Sequence, residues 1–414
     1  MGRRALKARV AILCFLCLAI LLAGARVFYW AHLPTAEVHN SRIKWKQTLP
    51  EAVTISPVIG HDGSIYFATG NGAIYALDRF GGMRWAYRPD GSGTASGLML
   101  DEDNNLYFSN TAKVFSLTAS GKKRWETECP PVNPSRFFQQ AALGQGVVYT
   151  TCGENFSALN ATDGRELWKL PIGQWNAMPV VLRNGAIILS HDWSLAAVDT
   201  DGNPLWKFPP PNYVPRPSRP GLVTDQMLFS SPIAVGSDET LYVGSGDGEF
   251  SAFSSEGELK WTYNGGPLRG ITFSASPVIA SDNTILALST QATIYAFTPD
   301  GALSWSVHVG DPIKTIFQPS QPAPVLGSDG TIYILVARKL VALSLAGKQV
   351  WELPLSADSL VTPMLAMDGT LYVATSDGVL YAVRTASKGL MNSSWPKYQH
   401  DLANSGRFSY ASAK

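Results

Sequence analysis

Side chains that could carry out chemistry are scattered along this sequence instead of being grouped at the spacing of a known site. His61, His308 and His400 lie far apart and lack the His-x-x-x-His or glutamate partner of a zinc site. Asp-Gly pairs such as Asp247-Gly248 are ordinary hairpin chemistry and resemble metal ligands only superficially. The sequence contains neither a Gly-x-Ser-x-Gly elbow nor a phosphate loop. It therefore predicts no metal ligand and no catalytic residue.

Basic and aromatic residues occur together in four long segments that separate repeated units of the sequence. These segments cover residues 126–139, 207–230, 264–275 and 309–322, and prolines stiffen residues 209–227 in the longest one. Such residues suit an anionic or carbohydrate-like ligand or a peptide, and an ordinary solvated loop surface is the alternative. With residues from nearby turns, the candidate binding residues are Arg136, Phe137, Trp175, His191, Tyr213, Arg216, Arg219, Arg269, Lys314 and Phe317.

The repeated unit that must position these segments contains a pair of short strands around a glycine turn. Residues 74–85 read IYALDRFGGMRW, and related copies end at six later tryptophans. Each copy follows an apolar run and a second strand such as SIYFATG, often with an Asp-Gly turn between them, as at Asp62-Gly63. Each unit is therefore four short antiparallel strands. The tryptophans of the fourth strands are Trp45, Trp85, Trp125, Trp168, Trp206, Trp261, Trp305 and Trp351.

The number of strands predicts how the units close. Eight sets of first, second and third strands occur, but only seven of them are followed by a tryptophan strand. The missing fourth strand lies upstream, around Trp45, and would complete the last unit beside residues 380–383. Four-stranded units that recur at roughly 40–50 residues are typical of a β-propeller. We predict an all-β fold, an eight-bladed propeller closed by this N-terminal strand, with seven blades as the alternative.

The recurring Ala-x-Asp, glycine turn and tryptophan resemble the tryptophan-docking motif of the pyrroloquinoline-quinone-like (PQQ-like) propeller superfamily. The clearest copies run from Ala76 to Trp85 and from Ala197 to Trp206. The segment 395–406 resembles a Trp-Pro…His-Asp…Gly segment of exported members. The resemblance implies that each tryptophan packs against a peptide plane of the neighbouring blade.

Two groups within that superfamily frame the function. Quinoprotein alcohol dehydrogenases hold PQQ and Ca²⁺ on the propeller axis and use a pair of adjacent cysteines, which this sequence lacks. The outer-membrane β-barrel assembly lipoprotein is an eight-bladed scaffold without a cofactor, and only its lipidated cysteine is missing here. The resemblance favours a binding or scaffolding module without a cofactor. The alternatives are a short oxidoreductase that binds PQQ with calcium, and a carbohydrate-binding or sensor module.

The amino terminus is typical of an exported protein. A basic start containing Arg3, Arg4, Lys7 and Arg9 precedes a long apolar run. Small residues after that run fit a cleaved signal peptide, whereas residues 8–30 are long enough for a retained membrane anchor. Both interpretations stay open. The predicted organisation is a hydrophobic helix, signal or anchor, at residues 1–30, a linker at 31–41, the propeller at 42–407 and a tail at 408–414.

Charge and cysteine content narrow the partners and the compartment. The 33 Lys and Arg residues nearly balance 32 Asp and Glu residues, so no basic excess points to nucleic acid. Cys129 and Cys152 could pair in an oxidising compartment or remain free thiols. We expect a periplasmic or extracellular protein, either released or tethered to the inner membrane, that binds a protein or glycan partner in the cell envelope.

Overall fold

A computed structural model gives the fold of most of the propeller region. The part of the chain that it describes comprises residues 42–90, 95–130, 141–172, 178–191, 194–209, 231–246, 248–265, 271–311 and 322–408. Residues 44–414 form one compact unit, and of the separate unit 1–43 only Arg42 and Ile43 are described. The predicted signal or anchor helix, the linker and residues 409–414 lie outside the described residues. Within the described ranges, no helix is long and apolar enough to cross a membrane.

The described strands form eight four-stranded antiparallel sheets, which are the blades of a propeller and are numbered here along the chain. Blade 1 contains β2 (Val58–Ile59), β3 (Ile65–Ala68), β4 (Ile74–Leu77) and β5 (Met83–Tyr87); blade 2 contains β6 (Ser96–Leu100), β7 (Leu106–Ser109), β8 (Lys113–Leu117) and β9 (Lys123–Glu128); blade 3 contains β10 (Ala142–Gly144), β11 (Val147–Cys152), β12 (Asn155–Asn160) and β13 (Glu166–Pro171); blade 4 contains β14 (Met178–Val181), β15 (Ile187–His191), β16 (Ser194–Val198) and β17 (Pro204–Phe208).

The second half of the ring repeats the same order of strands. Blade 5 contains β18 (Ala234–Val235), β19 (Leu241–Gly244), β20 (Glu249–Phe253) and β21 (Leu259–Asn264); blade 6 contains β22 (Val278–Ile279), β23 (Ile285–Leu288), β24 (Thr293–Phe297) and β25 (Leu303–His308); blade 7 contains β26 (Val325–Leu326), β27 (Thr331–Val336), β28 (Lys339–Ser344) and β29 (Gln349–Pro354); blade 8 contains β30 (Met364–Leu365), β31 (Thr370–Ala374), β32 (Val379–Arg384) and β1 (Ile43–Thr48).

The closing strand lies where the sequence predicts it. In blade 8 the strand order is β1-β32-β31-β30, so the most N-terminal strand is the outer strand of the most C-terminal blade. The prediction of an all-β, eight-bladed propeller closed by an N-terminal strand is therefore confirmed. First strands of neighbouring blades contact each other, as β2 and β6 do, which places them around the central channel.

The hydrophobic core lies between blades and not within any one of them. The second and third strands of blade 1 are buried at every position. By contrast, β1, the outer strand of blade 8, alternates between partly buried and exposed residues. One apolar cluster joins Tyr66 of blade 1 to Phe108 of blade 2, and similar clusters join the other neighbours. Burying one such side chain stabilises a fold by roughly 1.5–3 kcal/mol. Each blade therefore depends on the blades beside it.

The tryptophan of each outer strand contacts the glycine turn of the next blade. Trp85 donates its Nε1–H to the carbonyl oxygen of Ala119 at 2.9 Å, and its ring lies over Gly121. Gly121 has φ +80, and a Cβ there would lie 2.6 Å from the Trp85 ring, so both backbone conformation and space require glycine. The tryptophans whose indole N–H donates a hydrogen bond to the next blade include Trp45, Trp85, Trp125, Trp168, Trp206 and Trp261.

A disulfide adds a covalent link between blades 2 and 3. Cys129 follows β9 and Cys152 ends β11, and their sulfur atoms lie 2.09 Å apart. Their Cα atoms are 5.0 Å apart, within the usual range for a disulfide of about 4.4–6.8 Å. Of the two states that the sequence left open, the structure has the bridged one.

We expect the indole contact to dominate the stability of a blade junction. Trp85→Ala should lower the free energy of unfolding by about 3 kcal/mol because it removes ring packing and one hydrogen bond. Trp85→Phe keeps most of the packing and should cost only about 1 kcal/mol, the typical net value of one hydrogen bond. Urea unfolding followed by circular dichroism measures both values. Val350→Ala, at an exposed outer-strand position, is the control, and an equal loss in all three variants would contradict the contact's role.

Candidate functional site

The binding residues predicted from the sequence are expected on the face that carries the long connections between blades. His191 ends β15, and its side chain lies outside what the structure describes. The other candidates also lie outside the described residues, so their placement on this long-loop face stays a prediction. They are Arg136, Phe137, Trp175, Tyr213, Arg216, Arg219, Arg269, Lys314 and Phe317.

A groove of about 980 Å³ crosses the opposite face of the propeller. That face, called the short-turn face here, carries the turns between first and second strands and between third and fourth strands. The groove runs along turns of blades 8, 1, 2 and 3, and includes Arg79, Glu102 and Met367. Its volume lies at the upper end of the roughly 300–1,000 Å³ typical of small-ligand sites.

The other wall of the groove is residues 389–408, called the strap here, which follow the last blade. Carbonyl oxygens of the strap accept hydrogen bonds from first-strand N–H groups of six blades, at 2.8–3.0 Å. Within the described residues, the donors are Ile59, Leu100, Leu143, Val181, Ile279 and Leu326, and the acceptors are Leu402, Ala403, Ser405, Gly406, Trp395 and Pro396. The strap therefore crosses the short-turn end of the central channel.

The centre of the strap is buried among the blades. Trp395 is fully buried in an apolar cluster with residues of blades 4, 5 and 6, and Phe408 belongs to the same cluster. The His400 ring lies between these two aromatic rings, with centroids 5.2 Å from Trp395 and 6.4 Å from Phe408. Gln399 and His400 have φ of 58 and 72, so the strap turns sharply at this point.

Polar clusters at the turns recur in several blades. In blade 1, Asp62 accepts hydrogen bonds from Ser64 and forms an ion pair of 2.7 Å with Arg84 of the outer strand. Burial alone would raise the pKa of Asp62, but these hydrogen bonds and the guanidinium lower it. Equivalent clusters join Asp238 to Lys260 in blade 5 and Asp368 to Lys44 in blade 8. Their recurrence indicates a role in fixing turns to outer strands.

The shifted pKa values along the groove lie far from neutrality. Burial and a hydrogen bond to Asp101 raise the pKa of Tyr107 to about 12, and burial with the Asp368 charge raises that of Tyr372 to about 12. Burial alone would raise the pKa of Asp401, but the His400 ring, 3.6 Å away, and hydrogen bonds from Ser405 hold it at about 2. These tyrosines therefore stay protonated and Asp401 stays ionised at neutral pH, which suits fixed recognition better than proton transfer.

Sequence patterns did not point to this groove. Within the described residues, no group of three or more His, Cys, Asp or Glu is placed to hold a metal. The turns that line the groove resemble turns in the rest of the repeat, and four separate blades bring them together. The signal that could have identified the strap is the segment 395–406, whose Trp-Pro…His-Asp…Gly pattern interrupts the repeat.

The ionised Asp401 gives a pH-dependent prediction. Its carboxylate accepts hydrogen bonds from the Ala403 and Ser405 backbone and from the Ser405 hydroxyl. Because the folded pKa of about 2 lies below the ordinary value of 3.8, the stability that it contributes is present above pH 3.8 and is lost as pH falls through about 2. Melting temperature should be lower for Asp401→Asn than for the unchanged protein at neutral pH, and the gap should narrow towards about pH 2. A gap that is constant with pH would contradict this role.

Comparisons with known proteins place the fold and the family. The family model described as outer membrane protein assembly factor BamB matches residues 111–212 and 191–410. The crystal structure of BamB from Moraxella catarrhalis superposes with a TM-score of 0.63 at 16% identity, covering 83% of this chain and 97% of that chain. The computationally designed Ika8 protein superposes with a TM-score of 0.62 at 11% identity, covering 83% of this chain and 98% of that chain.

One curated relative is a much longer protein. It is the serine/threonine-protein kinase AfsK of Streptomyces griseus, 28% identical over 239 residues, which are 48% of this chain and 29% of the kinase. The chain thus spans less than a third of that relative. The family match covers most of the propeller, and the likeness to solved structures agrees with it in fold. The resemblance to PQQ-like propellers is confirmed, and the chain belongs to the family of the outer membrane protein assembly factor BamB.

Proposed function

We propose that this protein is an exported scaffold of the cell envelope that binds a protein partner and carries out no reaction itself. The observation that carries the proposal is the family match, which extends across residues 111–410 and names an assembly factor. An eight-bladed ring with many inter-blade contacts is a rigid body with two separate faces, and rigid faces bind partners at little conformational cost. The finer proposal is that the long-loop face engages the partner through Arg216 and Arg219.

The groove on the short-turn face offers the scaffold a second contact surface. Phe80 and Met367 stand at neighbouring turns of blades 1 and 8, and each is 71% exposed. The guanidinium of Arg79 lies 4.9 Å from the centre of the Phe80 ring, and the Arg79 carbonyl accepts a hydrogen bond from Tyr372 of blade 8. Exposed aromatic and methionine side chains beside arginine are typical of protein interfaces.

Export is the second part of the proposal. The disulfide between Cys129 and Cys152 supports it, because such bonds persist in oxidising compartments and are rare in the reducing cytosol. The basic and apolar start of the chain supports it as well. We place the propeller in the periplasm or outside the cell, and residues 8–30 would tether it to the inner membrane if they are retained.

A pull-down from a solubilised envelope fraction tests the contact surfaces. Arg216→Glu with Arg219→Glu should reduce partner recovery at least tenfold, because interface arginines contribute about 2 kcal/mol or more each. Phe80→Asp with Met367→Asp tests the groove wall at Met367 and the exposed Phe80 next to Arg79 in the same way. Val350→Asp, an exposed apolar residue on the outer strand of blade 7, is the matched control.

The comparison among these variants separates the outcomes. Loss with the arginine variant alone supports the long-loop face, and loss with the Phe80 and Met367 variant alone moves the contact to the groove. Loss with Val350→Asp would show that any surface change disturbs the protein. A partner that is retained equally by all variants would contradict both surfaces.

The redox state of the disulfide tests export in cells. Thiol alkylation without reductant, followed by a gel-shift assay, should show Cys129 and Cys152 protected in the full chain. Deleting residues 1–30 should leave the propeller in the cytosol with both thiols alkylated. Cys129→Ser is the control, since Cys152 must then react. Protected thiols in both the full and the truncated chain would contradict the dependence on export.

A further inference from the structure

We propose that the strap is a latch held by an ammonium-binding site, which the chain fills with its own Lys397. This inference goes beyond the proposed scaffold function and rests on the geometry of the strap alone. Lys397 is a buried residue, with 0% of its surface exposed, on a segment that crosses the end of the central channel. A lysine is rarely buried completely unless its charge is satisfied. The surroundings of its amine therefore need an explanation.

Three oxygens surround the amine. Lys397 Nζ donates to the carbonyl oxygens of Tyr398 and Asp401, the second at 2.7 Å, and to the side-chain oxygen of Asn404. An ammonium group has three N–H donors and no acceptor, so three acceptors match it completely. Two of the three are uncharged backbone carbonyls of the strap itself, and the turn that they stabilise includes the positive φ of Asn404, 53. The site is thus a cation site folded around its own ligand.

Asn404 ties this site to the propeller. While its oxygen accepts from Lys397, its Nδ2 reaches the carbonyl oxygens of Ser56 and Leu98, at 3.5 and 3.4 Å. Ser56 precedes the first strand of blade 1, and Leu98 lies in the first strand of blade 2. The ammonium therefore orients a side chain that links the strap to two blades at the channel.

Burial and charge act in opposite directions on the amine. Burial lowers the pKa of Lys397 to about 7, and the nearby Asp401 carboxylate opposes that shift. His400 lies between Lys397 and Asp401 in sequence, 3.6 Å from the Asp401 carboxylate. The Tyr398 ring lies 5.7 Å from Nζ. Asp401 and the strap carbonyls thus supply a negative potential that favours the protonated amine and offsets part of the cost of its burial.

The latch also shapes the groove. Leu390, Asp401, Leu402 and Arg407 line the groove and belong to the strap. A strap that leaves the channel would remove one wall of the groove and uncover first-strand N–H groups of several blades. The hydrogen bonds of Lys397 therefore help to hold both the closure of the channel end and one wall of the groove.

Chemical rescue tests the site. Lys397→Ala removes three methylenes and the amine, which together correspond to n-propylammonium. We expect a fall in melting temperature of roughly 5 °C, because three buried acceptors lose their donors. Chymotrypsin should then cleave after Tyr398, whose side chain is buried in the unchanged protein. Added n-propylammonium chloride should restore the melting temperature and the protection.

Controls separate a cation site from simple packing. n-Propanol fills the same space without the charge, and tetramethylammonium supplies charge without N–H donors; neither should rescue Lys397→Ala. Lys388→Ala, at an exposed position just before the strap, should behave as the unchanged protein. Equal rescue by n-propanol, or no effect of Lys397→Ala on melting and cleavage, would overturn the proposal.

A second variant covers failure of Lys397→Ala to fold. Asn404→Gly keeps the amine and fits the positive φ at this position, but removes one acceptor and the link to Ser56 and Leu98. It should expose the bond after Tyr398 to chymotrypsin with the rest of the propeller intact. Protection equal to that of the unchanged protein would overturn the latch.

Discussion

The burial of apolar side chains between neighbouring blades is the constraint on which the rest of this structure depends. A single four-stranded blade has two apolar faces and cannot cover either one alone. Tyr66 and Phe108, from consecutive blades, share one cluster, and the same arrangement recurs around the ring. A row of blades would still leave two bare faces at its ends. Closure of the ring is therefore a requirement for burial.

The chain closes this ring in more than one way. Strand β1 completes blade 8 from the opposite end of the sequence, so blade 8 cannot form without both ends of the propeller. Beside the closure, Thr362 donates its N–H to the Ser56 hydroxyl, and Ala323 donates its N–H to the Thr362 hydroxyl. These bonds link blades 7, 8 and 1 around the channel. The strap then forms hydrogen bonds with the first strands of six blades and so adds further links across the ring.

The sequence predicted the repeated features because side chains create them. Trp85 and Gly121 must occur together, since the indole leaves no room for a Cβ in the next turn. The tyrosine partner that six of the tryptophans have was missed, although Tyr66 and Trp85 have ring centroids 5.8 Å apart and the pairing recurs in five other blades. Its signal was a tyrosine within the second-strand pattern, which also fits a generic β-strand.

The pattern of residues 395–406 marks the strap as a separate segment, but the contacts of the strap and the groove beside it could not be predicted from the sequence. The hydrogen bonds between the strap and six first strands use backbone carbonyls of the strap. Every residue has a backbone carbonyl, so no side-chain pattern marks these bonds. Lys397 is one of 33 basic residues, and its complete burial follows from where the strap crosses the ring. The groove needs turns from four blades, whose positions are set only once the ring has closed. These features depend on long-range geometry, and local spacing does not encode it.

Repetition also separates structural polar groups from those that distinguish this protein. The pair of Asp62 and Arg84 has counterparts in blades 5 and 8, where the neighbouring surfaces differ, so a function specific to one place cannot explain it. Lys397 and Asn404 lie in a segment that occurs once and breaks the eightfold pattern. On a ring of similar blades, residues outside the repeat form a surface that occurs only once. In the described part of the chain, the strap is such a segment at the channel. Because the strap forms one wall of the groove, the groove does not repeat around the ring either.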